Sequence, residues 1–178
     1  MRTGGRISLI KDKCVSVRSL AATLQKVRRK GNRIVFTNGC FDIIHYGHAQ
    51  YLEDARLLGD VLIVAINSDA SIRRIKGPTR PVVCQHDRMK TLAALESVDY
   101  VVVFNEDTPL ETVRKLKPDV LVKGADWDKK NIVGGDIVKA YGGTVATIKL
   151  VSGRSTTNII GKIIETYSGK PRQQDHRR

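Results

Sequence analysis

Cysteine is scarce in this 178-residue chain: Cys14, Cys40 and Cys84 stand far apart, odd in number and without a CxxC pair. That pattern suits neither a disulfide framework nor a zinc site, and it points to a reducing, cytoplasmic setting. No run approaches the roughly 18 apolar residues needed to cross a bilayer. The N-terminal MRTGGRISLIKDK has only the short apolar stretch Ser8-Leu9-Ile10, so no signal peptide is expected. Internal repeats and low-complexity linkers are also missing. Acidic residues are few, 18 against 31 Lys and Arg, for a net charge of +13. The excess is not spread evenly. Residues 1–33 carry ten Lys/Arg against Asp12, and residues 168–178 carry four against Asp175, leaving the middle at +1. With no aromatic patterning beside the basic ends, specific nucleic-acid binding is a poor reading.

What is present is a globular composition, 41% hydrophobic and 28% charged, at a length suited to one domain. Val15–Lys30 spaces Val17, Leu20, Leu24 and Val27 as a helix, stopped by Gly31-Asn32. Arg33–Thr37, Val61–Asn67, Tyr100–Phe104, Asp119–Lys123 and Thr144–Ile148 read as strands. Between and after them, helices are expected over Tyr46–Leu58, Gln85–Leu95, Pro109–Leu116, Ile132–Tyr141 and Ser155–Tyr167, with Lys76–Pro81 as a loop. Apolar strands alternating with helices indicate a doubly wound parallel α/β sheet. We expect a basic N-terminal extension with a helix (1–32), a single domain over 33–167 and a flexible basic tail (168–178). Ligands in such sheets bind beyond the carboxyl ends of the strands, so the loops there are where chemistry is sought.

The first of these loops holds Asn38-Gly39-Cys40-Phe41-Asp42-Ile43-Ile44-His45-Tyr46-Gly47-His48, between a strand and a helix start. Helix N-termini attract phosphate. His45 and His48, three residues apart, can project to one side, and Gly47 leaves room for a nucleotide. The same two histidines also fit an incidental surface pair or a zinc-binding HxxH, although no third ligand stands at suitable spacing. Gly153-Arg154-Ser155-Thr156-Thr157-Asn158 opens the last helix; its hydroxyls suit plain N-capping or a phosphate, and Arg154 adds a planar cation. Lys76-Gly77-Pro78-Thr79-Arg80-Pro81, followed by Arg88, is either a solvated loop or a lid over a triphosphate. Lys123-Gly124-Ala125-Asp126-Trp127 ends a strand; Trp127 can be a packing residue, and Asp126 is placed to accept substrate or ribose hydroxyls.

NGCFDIIHYGH, GDVLIVAINSD, KGPTRP, QHDRMKTLAALESVD, LVKGADW and GRSTTNII, in this order, resemble the HxGH nucleotidyltransferase superfamily. Within it they are most similar to the heptose 1-phosphate adenylyltransferase branch, known as one half of bifunctional heptose enzymes and as a stand-alone form. The resemblance runs from about Arg33 to Ile164. It implies a Rossmann-like fold, ATP and Mg²⁺ as cosubstrates with the metal held mainly by the nucleotide phosphates, and a homodimer. It also implies ADP-heptose and pyrophosphate as products, made for cell-surface glycans. By family pattern His45, His48 and Lys76 are catalytic. Asn38, Gly39, Cys40, Phe41, Gly47, Arg88, Gly124, Asp126, Arg154, Ser155, Thr156 and Thr157 would meet the nucleotide. Asp42, Asn67, Asp69, Lys123 and Trp127 would meet the acceptor. No sugar-kinase domain is seen in the sequence, so another protein is expected to phosphorylate the heptose. One departure stands out: cytidylyltransferases of the superfamily tend to carry Arg-Thr just before Gly-x-Ser-Thr, where this chain has Leu150 and Val151. Transfer of AMP or CMP to an alditol phosphate, another sugar phosphate or FMN is the alternative reading, and a basic nucleic-acid-binding protein the remote one.

Overall fold

The computed structural model describes residues 9–128 and 131–168. The expected flexible tail beyond Ser168, like residues 1–8, lies outside the described residues. Five parallel strands, β1 (Ile34–Gly39), β2 (Val61–Asn67), β3 (Tyr100–Phe104), β4 (Val120–Gly124) and β5 (Thr144–Ile148), form one sheet in the order β3-β2-β1-β4-β5. Around it are α1 (Ile10–Lys13), α2 (Val17–Arg29), α3 (Tyr46–Arg56), α4 (Asp69–Lys76), α5 (Gln85–Ala94), α6 (Leu110–Leu116), α7 (Gly135–Ala140) and α8 (Thr156–Tyr167). This is the expected Rossmann-like, doubly wound α/β sheet. Among the described residues no helix is long and apolar enough to cross a membrane.

The strands read as continuous apolar runs because both faces are covered. Ile34, Phe36, Ile63, Ala65 and Leu121 point to one side, where Leu20 and Leu24 of α2 and Val113 and Leu116 of α6 complete a core. Val35, Leu62, Val64, Val101 and Val122 point to the other, against Leu52 and Ala55 of α3 and Leu92 and Ala93 of α5. Alternate residues of a strand face opposite sides, so each strand feeds both cores. Leu20 and Leu24 are wholly buried. The segment expected as an extension is therefore, from α2 onward, a layer of the domain itself. Ser16 caps α2 by accepting from the Ser19 N–H at 3.1 Å. Val15 N donates to Val101 O (3.1 Å), which draws the chain before α2 along the free edge of β3.

Three elements differ from expectation, the first being the short helix α1, which lies ahead of the helix expected from Val15. Asp69–Lys76 is a helix, so Lys76 closes α4 instead of opening a loop; Ser68 caps it, accepting from Ser71 N at 3.1 Å. The stretch expected as a helix from Ile132 becomes helical only at Gly135, because Gly134 sits at φ 86°, outside the helical region. Strand order reverses between β1 and β4, whose register pairs Thr37 with Val122. The chain leaves these neighbours in opposite directions across the sheet, and their carboxyl ends open into a shared crevice.

Candidate active site

A cleft of about 800 Å³ opens at that reversal. Every residue proposed from the sequence for catalysis or binding lines it except Arg88 and Asp69. The wall from β1 begins at Gly39, where an added Cβ would stand 3.0 Å from the Phe41 ring. Phe41 takes φ 46°, unfavourable for a bulky residue, and is held there with the residue 6% exposed. Its ring lies 5.3 Å from that of His48 at 56°.

His45 is the N-cap residue of α3, in extended conformation (φ −144°), and its side chain makes no capping bond. The first N–H groups of a helix have no intrahelical acceptor, so this start keeps donors for a ligand. The His45 and His48 rings stack, centroids 3.9 Å apart and planes 23° from parallel. Nδ1 of each is buried without a hydrogen-bond partner among the described residues. Burial, then the neighbouring His45, pushes the His48 pKa down to about 4. Burial, then Arg154, lowers that of His45. Both imidazoles are therefore neutral near pH 7, each able to donate from one nitrogen. Gly47 is where α3 meets the loop before α8: a Cβ there would lie 3.1 Å from both Arg154 Cβ and His45 Cε1.

Opposite, Ser155 Oγ accepts from Asn158 N at 3.0 Å, so in the free protein this serine caps α8. Thr156 Oγ1 contacts Ile43 O at 3.4 Å, joining the second helix start to the histidine loop. The two helix starts converge on one cleft, as their places after β1 and β5 require. On β4, Lys123 Nζ donates to Asn38 O (3.0 Å) and approaches Asn38 Oδ1 (3.3 Å), with the Trp127 ring 5.0 Å away. Burial lowers the lysine pKa, against the opposing pull of Asp126 and Cys40. Trp127 is 48% exposed, so it is a cleft wall and not a core residue. The Cys40 thiol, in the same wall, is raised chiefly by burial.

Four expected contacts are placed otherwise. Arg88 is wholly buried on α5. Its guanidinium donates to Val83 O (3.0 Å), Cys40 O (2.6 Å), Asn67 O (2.9 Å) and Asp69 Oδ1 (2.8 Å). It braces the loops behind the cleft instead of meeting a nucleotide, and Asp69 is its counter-charge. Asn67 is 3% exposed and donates its amide to Ser71 Oγ (3.0 Å). Asp42, expected at the acceptor, is 2% exposed and accepts from Arg80 Nε (2.7 Å), Val82 N and Val83 N. Burial works to raise its pKa. The Val83 and Val82 N–H groups and Arg80 outweigh it, holding the carboxyl below the usual carboxylate range.

The cleft also has residues that motif reading missed. Asp107, Thr108 and Pro109 line it from the loop after β3, a position that the strand-end rule alone marks for inspection. Ile75, Ile132, Val133, Leu150 and Val151 line it as well. Ile75 lies in α4 and the others in loops, and isolated apolar residues in such places carry no local signal of this kind.

Residues 36–166 match the cytidylyltransferase-like family model. The chain is 56% identical over 149 residues to the Bifunctional protein HldE of Syntrophotalea carbinolica, covering 84% of this chain and 30% of that protein. It is 53% identical over 148 residues to the Bifunctional protein HldE of Geobacter sulfurreducens, with 83% and 30% covered. The chain thus spans about a third of the length of these relatives. Its fold is similar to the crystal structure of the lipopolysaccharide core biosynthesis protein from Thermoplasma volcanium GSS1 (TM-score 0.57, 30% identity), covering 68% of this chain and 98% of that one.

Proposed function

The chain belongs to the cytidylyltransferase-like family and is a nucleotidyltransferase, and from that premise we propose that it joins the AMP of ATP to D-glycero-D-manno-heptose 1-phosphate. ADP-heptose and pyrophosphate are the products. The observation that carries this reading is the stacked His45–His48 pair at the start of α3, facing the Ser155–Thr157 start of α8 across one cleft.

A phosphate oxygen of the acceptor attacks the α-phosphorus in line, forming the new P–O bond as the bond to the β-phosphate bridging oxygen breaks. The nucleophile is already anionic, so no base has to remove a proton and no covalent enzyme intermediate is needed. The work is positioning and electrostatics. His45 and His48 donate to the α-phosphate oxygens as charge grows there. Arg154 and the N–H and hydroxyl groups of Ser155, Thr156 and Thr157 hold the leaving phosphates, and Lys76 covers them. Asn38, Gly39, Cys40, Phe41, Gly47, Gly124 and Asp126 form the remaining nucleotide wall. Lys123 offers its ammonium to the acceptor's phosphate, with Trp127 beside it. Among the described residues no three His, Cys, Asp or Glu side chains are grouped to hold a metal ion. Mg²⁺ is assigned to the nucleotide's own phosphate oxygens, where it would neutralise charge on the leaving group. A homodimer working in the cytoplasm completes the proposal.

The family description speaks of cytidylyl transfer, whereas Leu150 and Val151 replace the Arg-Thr pair that such enzymes tend to carry. A panel decides between the bases: pyrophosphate release is measured with Mg²⁺, each NTP, and heptose 1-phosphate, glycerol 3-phosphate or FMN. Release confined to ATP with heptose 1-phosphate is expected. Release with another pair keeps the transferase and discards the heptose assignment.

A further inference from the structure

Asp42 sits on the histidine loop, yet all its hydrogen bonds run to residues some forty positions later. Its side chain is 1% exposed and that of Arg80 is 22% exposed. One carboxylate oxygen takes Arg80 Nε at 2.7 Å, the other takes Val83 N at 2.8 Å, and Val82 N reaches both at 2.9 and 3.0 Å. An acceptor hydroxyl could bind this carboxylate only by displacing those donors. Arg88 bridges the same two segments from behind, donating to Cys40 O and Val83 O.

The segment so held leads back directly to Lys76. Between them lies Gly77, at φ 96° with nothing within 4 Å of where its Cβ would be, a joint with room to move. On its other side Arg74 ties α4 to the loop after β3, through Asp107 (2.8 Å) and Asn105 O. Lys76 is thus bracketed between two charged ties. At the near end of the Asp42 tie, Phe41 rests against His48.

We propose that Asp42 and Arg80 are positioning residues that latch the Arg80–Val83 segment to the histidine loop, fixing the reach of Lys76 over the nucleotide phosphates. The inference rests on reading this cleft as the nucleotide site. It assigns Asp42 to the lid and to ATP, not to the acceptor.

The test compares Asp42→Asn, Arg80→Ala and Arg80→Lys with the unaltered chain. Arg80→Ala removes a partly exposed side chain, so it carries the test if Asp42→Asn does not fold. With the latch open, trypsin should cleave Lys76–Gly77 about tenfold faster or more in the free protein, the scale of one lost charge-assisted hydrogen bond. The KM for ATP should rise by a similar factor, the acceptor KM should stay within about twofold, and Arg80→Lys should recover part of both losses. Unchanged proteolysis and ATP KM in folded Arg80→Ala would overturn the latch. So would a folded Asp42→Asn that is impaired for the acceptor alone, which would return Asp42 to the acceptor site. Proteolysis needs neither substrate nor turnover, so it reads the latch even where the heptose assignment fails.

Discussion

The imidazoles of His45 and His48 lie face to face at 3.9 Å, and neither Nδ1 has a hydrogen-bond partner among the described residues. Two half-buried, neutral rings whose buried Nδ1 atoms are unused are an incomplete arrangement, since buried polar atoms are normally paired. On the proposed function an anionic group entering the cleft would complete it: each ring would donate to a phosphate oxygen, and the anion would stabilise the proton that the pair excludes in the free protein. Burial is the first cause that lowers both pKa values in the free protein, with His45 adding to the effect on His48 and Arg154 to that on His45.

The first prediction concerns the strength of that arrangement. His48→Ala removes one donor from the developing negative charge and leaves the rest of the cleft standing. Turnover should fall by about 100-fold or more, the usual size for one lost donor of this kind. Circular dichroism and the melting temperature should remain close to those of the unaltered chain, because the lost ring had an unsatisfied nitrogen. A folded variant with near-normal pyrophosphate release would remove His48 from the reaction.

The titration of the pair is a second check. A histidine that titrates at about 4 when folded and near 6.5 when unfolded binds fewer protons in the native state at intermediate pH. The stability contributed by His48 being neutral is therefore fully present above pH 6.5. It is lost progressively as the pH falls toward 4. Ring-proton NMR should give a His48 midpoint near 4 and a His45 midpoint below 6.5, both moving upward when ATP is added. An unshifted His48 midpoint in the free protein would mean that the ring is hydrated and the stack absent in solution.

Gly47 gives a steric test. A methyl group there would meet His45 and Arg154 at 3.1 Å, so one of them must yield by a few tenths of an ångström. The backbone is helical and the residue's φ is ordinary, so Gly47→Ala should fold. Because small misplacements of reacting groups are costly, kcat/KM should drop about tenfold or more. Wild-type kinetics would show that the two helix starts have slack between them.

Arg88 separates bracing from binding. Arg88→Leu leaves Asp69 without its counter-charge and three carbonyls without a donor, a loss on the order of 3 kcal/mol or more. Urea unfolding should show that loss at the full extent whether or not ATP is present. A variant of normal stability but weak ATP affinity would restore Arg88 to the nucleotide contacts expected from the motif.

Much of the frame was readable in the chain because it depends on local pattern. β2, β3 and β5 begin and end where their apolar runs do, and Gly31 stops α2 as its position suggests. α4 escaped notice because DASIRRIK buries only Ser71 and Ile72. Its support comes from the Ser68 cap and from Arg74, whose partners lie some thirty residues away. The His45–His48 spacing and the Ser155–Thr157 hydroxyls were equally plain, and topology brings both to the same sheet end.

What the sequence determined alone is the order of the strands and of the helices other than α1 and α4, the two helix starts and the residue types gathered there, since periodicity and spacing act over a few residues. Which charges serve the fold was decided by tertiary structure. Asp42 and Arg88 look like binding residues in a motif. They become a latch and a brace only because β1 and the loop before α5 are brought together, and a buried charge must be satisfied by whatever groups the packing places beside it.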